Sequence, residues 1–273
     1  MESSTVSKTL SQPEKAKRPG ILGLNEGLNR DVLLVTGSLI GLFLLWELVA
    51  RSGVVPKVIL PSPIDVAVAL WAVLTSSYLP EHLWITTAET ISGFFIGCAL
   101  GILIGILVAN IAWFRTIAYP YIIAFQIVPK VVLAPIFITW LGFGMESKIV
   151  MTAAIVFFPV VVNTILGLES VEENAKLLMI SLEADRMQIF SKLAWPTALP
   201  AVFAGLETSA TIALIGSIVA EFISAQKGLG VLLISFGYQL KTDYVFAVII
   251  IISLVGLLMF WAVGYLKRKI VFW

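Results

Sequence analysis

One cysteine and one histidine are all the soft or imidazole donors that this 273-residue chain holds, so metal centres built on thiolate or clustered imidazole have no material to form from. With Cys98 alone there is no disulfide framework, and with His82 alone a Ser-His-Asp arrangement is poorly supported. Charge is equally scarce. Only 13% of residues are Asp, Glu, Lys or Arg, about half of what soluble domains carry, and the net charge is +1, so no basic field points to nucleic acid. The sequence also lacks Gly-x-x-x-x-Gly-Lys-[Ser/Thr], so a phosphate-cradling loop for ATP is absent. No internal repeat is evident, and the start has neither the short apolar core nor the small-residue cleavage site of a secretory signal.

What the chain has instead is apolar length. Hydrophobic residues make up 59% of it and the mean hydropathy is +1.00, which marks an all-α integral membrane protein. A hydrocarbon core about 30 Å thick needs roughly 20 helical residues, and six stretches qualify: 32–50, 91–109, 117–141, 149–167, 199–220 and 244–266. Pro129 and Pro135 remove backbone donors inside the third, which should kink or interrupt it. Residues 1–31 are polar and read as a cytosolic tail, leaving 32–273 as the transmembrane domain.

An even number of spans puts both termini on one side. Lys8, Lys15, Lys17, Arg18, Arg30, Arg115, Lys176, Arg186, Lys192, Lys267, Arg268 and Lys269 fall on that side, against Arg51, Lys57, Lys148, Lys227 and Lys241 on the other. Cytosolic loops collect Lys and Arg, so this bias places both termini, and the segment between the fourth and fifth spans, in the cytosol. On the opposite side Leu60-Pro61-Ser62-Pro63 breaks the chain before an amphipathic interfacial helix, and Gly228-Leu229-Gly230 makes a second break before the last span.

Four glycines, Gly93, Gly97, Gly101 and Gly105, recur every four residues, a ridge that lets a second helix approach closely, more often one of the same chain than one of a second subunit. Ionisable and hydroxyl residues within spans mark candidate path positions: Gln126 and Lys130 beside the proline break, then Glu207, Thr208, Thr211 and Glu221 along the fifth span. Lys130 either lines an aqueous path or snorkels to an interface, and its pairing with Glu207 would lower the cost of burying both. Hydroxyls such as Thr208 and Thr211 also bond back to their own helix.

Residues 168–199 carry Glu169, Glu172, Glu173, Lys176, Glu183, Asp185, Arg186 and Lys192, too many charges for the membrane. Leu177, Leu178, Ile180 and Leu182, then Met187, Ile189, Phe190 and Leu193, interleave them. Two short helices presenting apolar side chains to water call for a partner groove, with Met187 and Phe190 on one face.

This insert resembles the cytoplasmic coupling loop of ABC importer permeases. Leu60-Pro61-Ser62-Pro63, the block from Pro129-Lys130 to Ala134-Pro135 with Trp140-Leu141-Gly142-Phe143-Gly144, and Ala220-Glu221-Phe222-Ile223 followed by Gly228-Leu229-Gly230 resemble, in order, motifs of the nitrate, taurine and alkanesulfonate type within that family. The resemblance implies a type I importer permease fold of about six helices in the cell inner membrane. It also implies a second permease copy, separate ATP-binding cassette subunits docked on the coupling loop, and an external substrate-binding protein or lipoprotein. No catalytic residue, cofactor or metal is implied. Glu183, Ala184, Asp185, Arg186, Met187 and Phe190 become the coupling residues. One departure stands out: Glu183 occupies the place of a family glycine thirteen positions before Pro196, with Leu177-Leu178-Met179 in place of Glu-Ala-Ala. A turn needing positive φ there is strained by Glu, so either the turn is rebuilt or this half of the docking site engages differently. A proton- or ion-coupled secondary carrier using Lys130, Glu207 and Glu221 is the competing class; an intramembrane enzyme finds no catalytic constellation.

Overall fold

The computed structural model describes residues 21–224 and 226–272, and within them every regular element is a helix. The expected tail therefore lies largely outside the described residues, although its last residues, from Ile21, already belong to the first helix, α1 (Ile21–Arg51). The chain divides into two compact units, Met1–Val55 and Pro56–Trp273. The first contains α1, whose stretch Val32–Arg51 is long and apolar enough to cross a bilayer.

The second unit opens on α2 (Pro63–Leu74). Ser62 caps it by accepting the Asp65 N–H at 3.1 Å, and Pro63 fills the first turn, where its missing N–H costs nothing. The helix is not amphipathic as expected: Val66, Ala69 and Val73 are buried, and the opposite face carries exposed Ile64, Val68 and Trp71.

Its core is a three-helix stack. α3 (Leu79–Asn110) is 32 residues long, beginning twelve residues before the apolar run suggested. It packs along α6 (Met145–Glu169), and α6 packs along α9 (Trp195–Ser224). The glycine ridge is the seam. A Cβ on Gly93, Gly97, Gly101 or Gly105 would strike Thr152, Val156, Val160 or Thr164 of α6 at under 3.0 Å, so two four-residue stripes interlock and the backbones approach as only glycine allows.

Between α3 and α6 the third span is broken. α4 (Ala112–Ile127) ends before Pro129, a short 3-10 turn covers Lys130–Leu133, and α5 (Ala134–Leu141) leaves with a 92° bend. Five described helices are long enough to span, and this bent pair makes the sixth. After α6, a short helix α7 (Glu173–Ser181) is followed by α8 (Arg186–Ile189), one wide π turn (Phe190–Ala194) and α9 without interruption. The expected second short helix is therefore the leading end of a helix running Arg186–Ile223, which takes Pro196 and Pro200 within it. The wide turn adjoins Pro196, which has no N–H to give the ladder. α10 (Leu229–Tyr238) and α11 (Thr242–Ile270) complete the unit, with α11 against α9 and α2.

Candidate functional site

At the α7–α8 corner the backbone makes a Schellman turn. Ala184 N–H reaches back to Met179 O at 3.0 Å and Glu183 N–H to Ile180 O at 2.9 Å, a pattern that requires a left-handed residue between them. Glu183 is that residue, at φ +59°. The turn has not been rebuilt around the missing glycine; Glu183 bears the strain, about 1–2 kcal/mol for an L side chain. Two residues on, Asp185 starts α8 through a reciprocal capping box: its carboxylate accepts Gln188 N–H at 2.7 Å, and Gln188 Oε1 accepts the Asp185 N–H at 3.0 Å.

Around this corner lies a cleft of about 600 Å³ whose walls include Asn110, Lys176, Ile180, Ala184, Arg186 and Phe190. Leu177, Leu178, Leu182 and Met187 remain exposed, Met187 at 70%. Phe190 departs from its expected place beside Met187. It turns inward, half-buried against Leu168, Ala198 and Val202, with its ring 6.1 Å from that of Trp195. Arg115 on α4 pairs with Glu169 at the end of α6 at 2.6 Å.

The membrane-level residues separate into three places. Lys130 sits at the break, its ammonium 3.1 Å from Gln126 O and 4.6 Å from the Phe158 ring centre, in a pocket with Gln126, Ile155, Ile212 and Ile215. Glu207 does not meet it: Glu207 Oε2 bonds Lys267 Nζ on α11 at 2.8 Å. Thr208 and Thr211 share an exposed stripe of α9, and their hydroxyls donate back to Ala204 O (3.0 Å) and Thr208 O (2.7 Å).

Glu221 corrects the sequence reading outright. At 1% exposure it lines nothing. Instead, three successive backbone N–H groups at the start of α10 are each accepted by a side chain: Gly228 by His82 Nδ1 (2.9 Å), Leu229 by Thr86 Oγ1 (2.7 Å) and Gly230 by Glu221 Oε2 (2.6 Å). These are donors that a helix start leaves orphaned, and the Glu221 carboxylate also faces the positive end of the α10 dipole. A Cβ on Gly228 or Gly230 would come within 3.0 Å of Glu221, and Gly228 holds φ +135°, so the Gly-Leu-Gly spelling follows from this capture.

Beneath it lie residues the sequence reading missed or misplaced. Glu89 is fully buried, and Lys148, counted among external charges, is 3% exposed with its ammonium on Phe143 O (3.0 Å) and Gly144 O (2.8 Å). A signal was present: α3 places His82, Thr86, Glu89 and Gly93 at spacings of three and four, on the stripe that continues into the buried glycine ridge.

A permease subunit of an ABC importer is the class that this arrangement of a broken span, up to six helices long and apolar enough to cross a membrane, and a charged insert fits. Residues 101–272 match the binding-protein-dependent transport system inner membrane component family, and the chain belongs to that family. The formylaminopyrimidine transport permease ThiX of Halalkalibacterium halodurans is 35% identical over 241 residues, covering 85% of this chain and 92% of that protein. A putative aliphatic sulfonates permease, SsuC of Bacillus subtilis, is 34% identical over 84% of this chain and 83% of its own. The taurine permease TauC of Escherichia coli is 29% identical over 90% and 91%. Among solved structures, an inward-facing methionine transporter MetNI overlays with a TM-score of 0.61 at 20% identity, covering 69% of this chain and 94% of that chain, which establishes the type I importer fold.

Proposed function

We propose that this chain forms half of the path for a small solute in an ATP-driven importer, with the α7–α8 corner as the seat of a separate ATPase and an external binding protein delivering the solute. The observation that carries the reading is the row Leu177, Leu178, Leu182 and Met187, exposed on an otherwise charged segment whose second half, from Arg186, runs without a break into a membrane span. Large apolar side chains held open to water around a 600 Å³ cleft suit a partner's groove. Asp185 and Arg186 supply charged contacts at its rim, while Glu183 fixes the corner.

The path is the exposed Thr208–Thr211 stripe of α9 with Gln126 and Lys130 on its flank, completed by a second copy of the chain, which covers hydroxyls that a single copy leaves facing lipid. Both termini and the α7–α8 corner lie in the cytosol. The names of the relatives span pyrimidines and sulfonates, so selectivity is assigned to the external receptor and this chain to a small solute of that size range.

Replacing Leu182 and Met187 together by Asp, with the partner ATPase co-expressed, should abolish its co-purification. Insertion of the permease should be unchanged, because both side chains are solvent-exposed. Undiminished ATPase recovery would remove this corner as the docking element and favour an ion-coupled carrier.

A further inference from the structure

Glu89 and Glu221 come together where α3 crosses α9, with Thr86 one turn from Glu89 on α3 and Ser217 one turn from Glu221 on α9. Thr86 donates to Glu221 and Ser217 approaches Glu89, so each carboxyl group is held beside the other's helix in one buried cluster. Carboxylate oxygens only accept, and two neighbouring carboxylates sealed from water repel each other, so one proton between them is favoured. The remaining bonds say which residue holds it. Both Glu221 oxygens are filled by donors, Thr86 Oγ1–H at 2.5 Å and Gly230 N–H at 2.6 Å. Glu89 is starved by comparison: Ser217 approaches Oε2 only at 3.4 Å and Oε1 receives no donor, although the side chain is wholly buried.

We propose that Glu89 and Glu221 are a one-proton carboxyl pair, with Glu89 the neutral acid that donates and Glu221 the carboxylate that holds the start of α10. The charge count agrees. Lys148 is the one buried cation among the described residues, on the part of α6 that packs against Gly93, one turn on from Glu89, so two carboxylates and one ammonium would leave a net charge of −1 among groups no more than 3% exposed. One proton makes it neutral, which a buried site strongly favours. Among the described residues the other neighbours carry no charge into the site: α3 presents the Thr86 hydroxyl, α9 the Ser217 hydroxyl, α10 the Gly230 N–H, and the α5–α6 loop the Phe143 and Gly144 carbonyls already taken by Lys148. Nearby Glu81 is paired with Lys227, and His82 is engaged with Gly228. The packing of Gly228 and Gly230 on Glu221 closes the site, so the proton is a fixed part of the fold, not cargo.

Infrared spectroscopy of the full chain in nanodiscs tests this, with thermal unfolding as a second readout. Neither needs an ATPase, a receptor or uptake, so the result stands apart from the importer reading. The wild-type protein should show the carbonyl stretch of a buried protonated carboxylic acid, and Glu89→Gln should lose it. The Gln amide still donates to Glu221, so Glu89→Gln should melt within about 2 °C of wild type, whereas Glu221→Gln, which turns an amide donor toward donors, should fall by about 5 °C or more. Absence of the band in wild type, its persistence in Glu89→Gln, or a greater loss of stability in Glu89→Gln than in Glu221→Gln overturns the assignment. Should Glu221→Gln fail to fold, the band in wild type and Glu89→Gln decides alone.

Discussion

Glu207 on α9 is neutralised by Lys267 on α11 at 2.8 Å, and Lys130 on the broken span has no part in that pair. The ion pair therefore staples two spans near the end of the last helix. Glu207→Gln and Lys267→Gln should each destabilise the bundle, and the double variant should cost less than their sum, with a coupling of about 1–3 kcal/mol in a double-mutant cycle of unfolding. Additive effects would show that the pair does not hold α11.

Lys130 faces a pocket without a carboxylate partner, so its charge can be removed without unpacking a neighbour. Lys130→Met should lower uptake by the assembled importer while leaving the amount of assembled complex unchanged. Uptake equal to wild type would take Lys130 out of the path.

At the corner, Glu183→Gly should relieve a left-handed side chain. The gain is about 1 kcal/mol once the greater freedom of glycine in the unfolded chain is deducted. Hydrogen exchange at the Glu183 and Ala184 amides, both bonded in the turn, should slow by about fivefold. Glu183→Val should speed it.

Orientation is checked by single-cysteine labelling after Cys98→Ala. Ser191 and Ser4 should react only from the cytosol and Ser77 only from outside. External labelling of Ser191 would invert the topology and remove the docking corner together with it.

Much of the fold was legible because lipid forces the pattern: long apolar runs must be helices, and the Gly93–Gly105 stripe could only be a contact face. Pro129 likewise announced the break that became a 92° bend. The candidate site was less legible because polar residues in a membrane have two opposite uses. Glu221 and Lys148 look alike in sequence to residues that face water, and only the approach of α3, α6 and α10 shows them sealed inside. Phe190 failed for a related reason: three residues on from Met187 it stands about 60° round the helix, enough to put it on the edge that packs against Leu168, Ala198 and Val202 while Met187 stays in water.

The unbroken run from Arg186 to Ile223 has a length nearly twice the hydrocarbon thickness, about 57 Å at 1.5 Å per residue. It carries Met187 at one end and Glu221 at the other, so a force applied at the first would have mechanical purchase on the second. Each degree of tilt about either end carries the opposite end through about 1 Å. A few degrees would match the entire length of the Gly230–Glu221 hydrogen bond, so a tilt imposed at the Met187 end would strain the grip on α10.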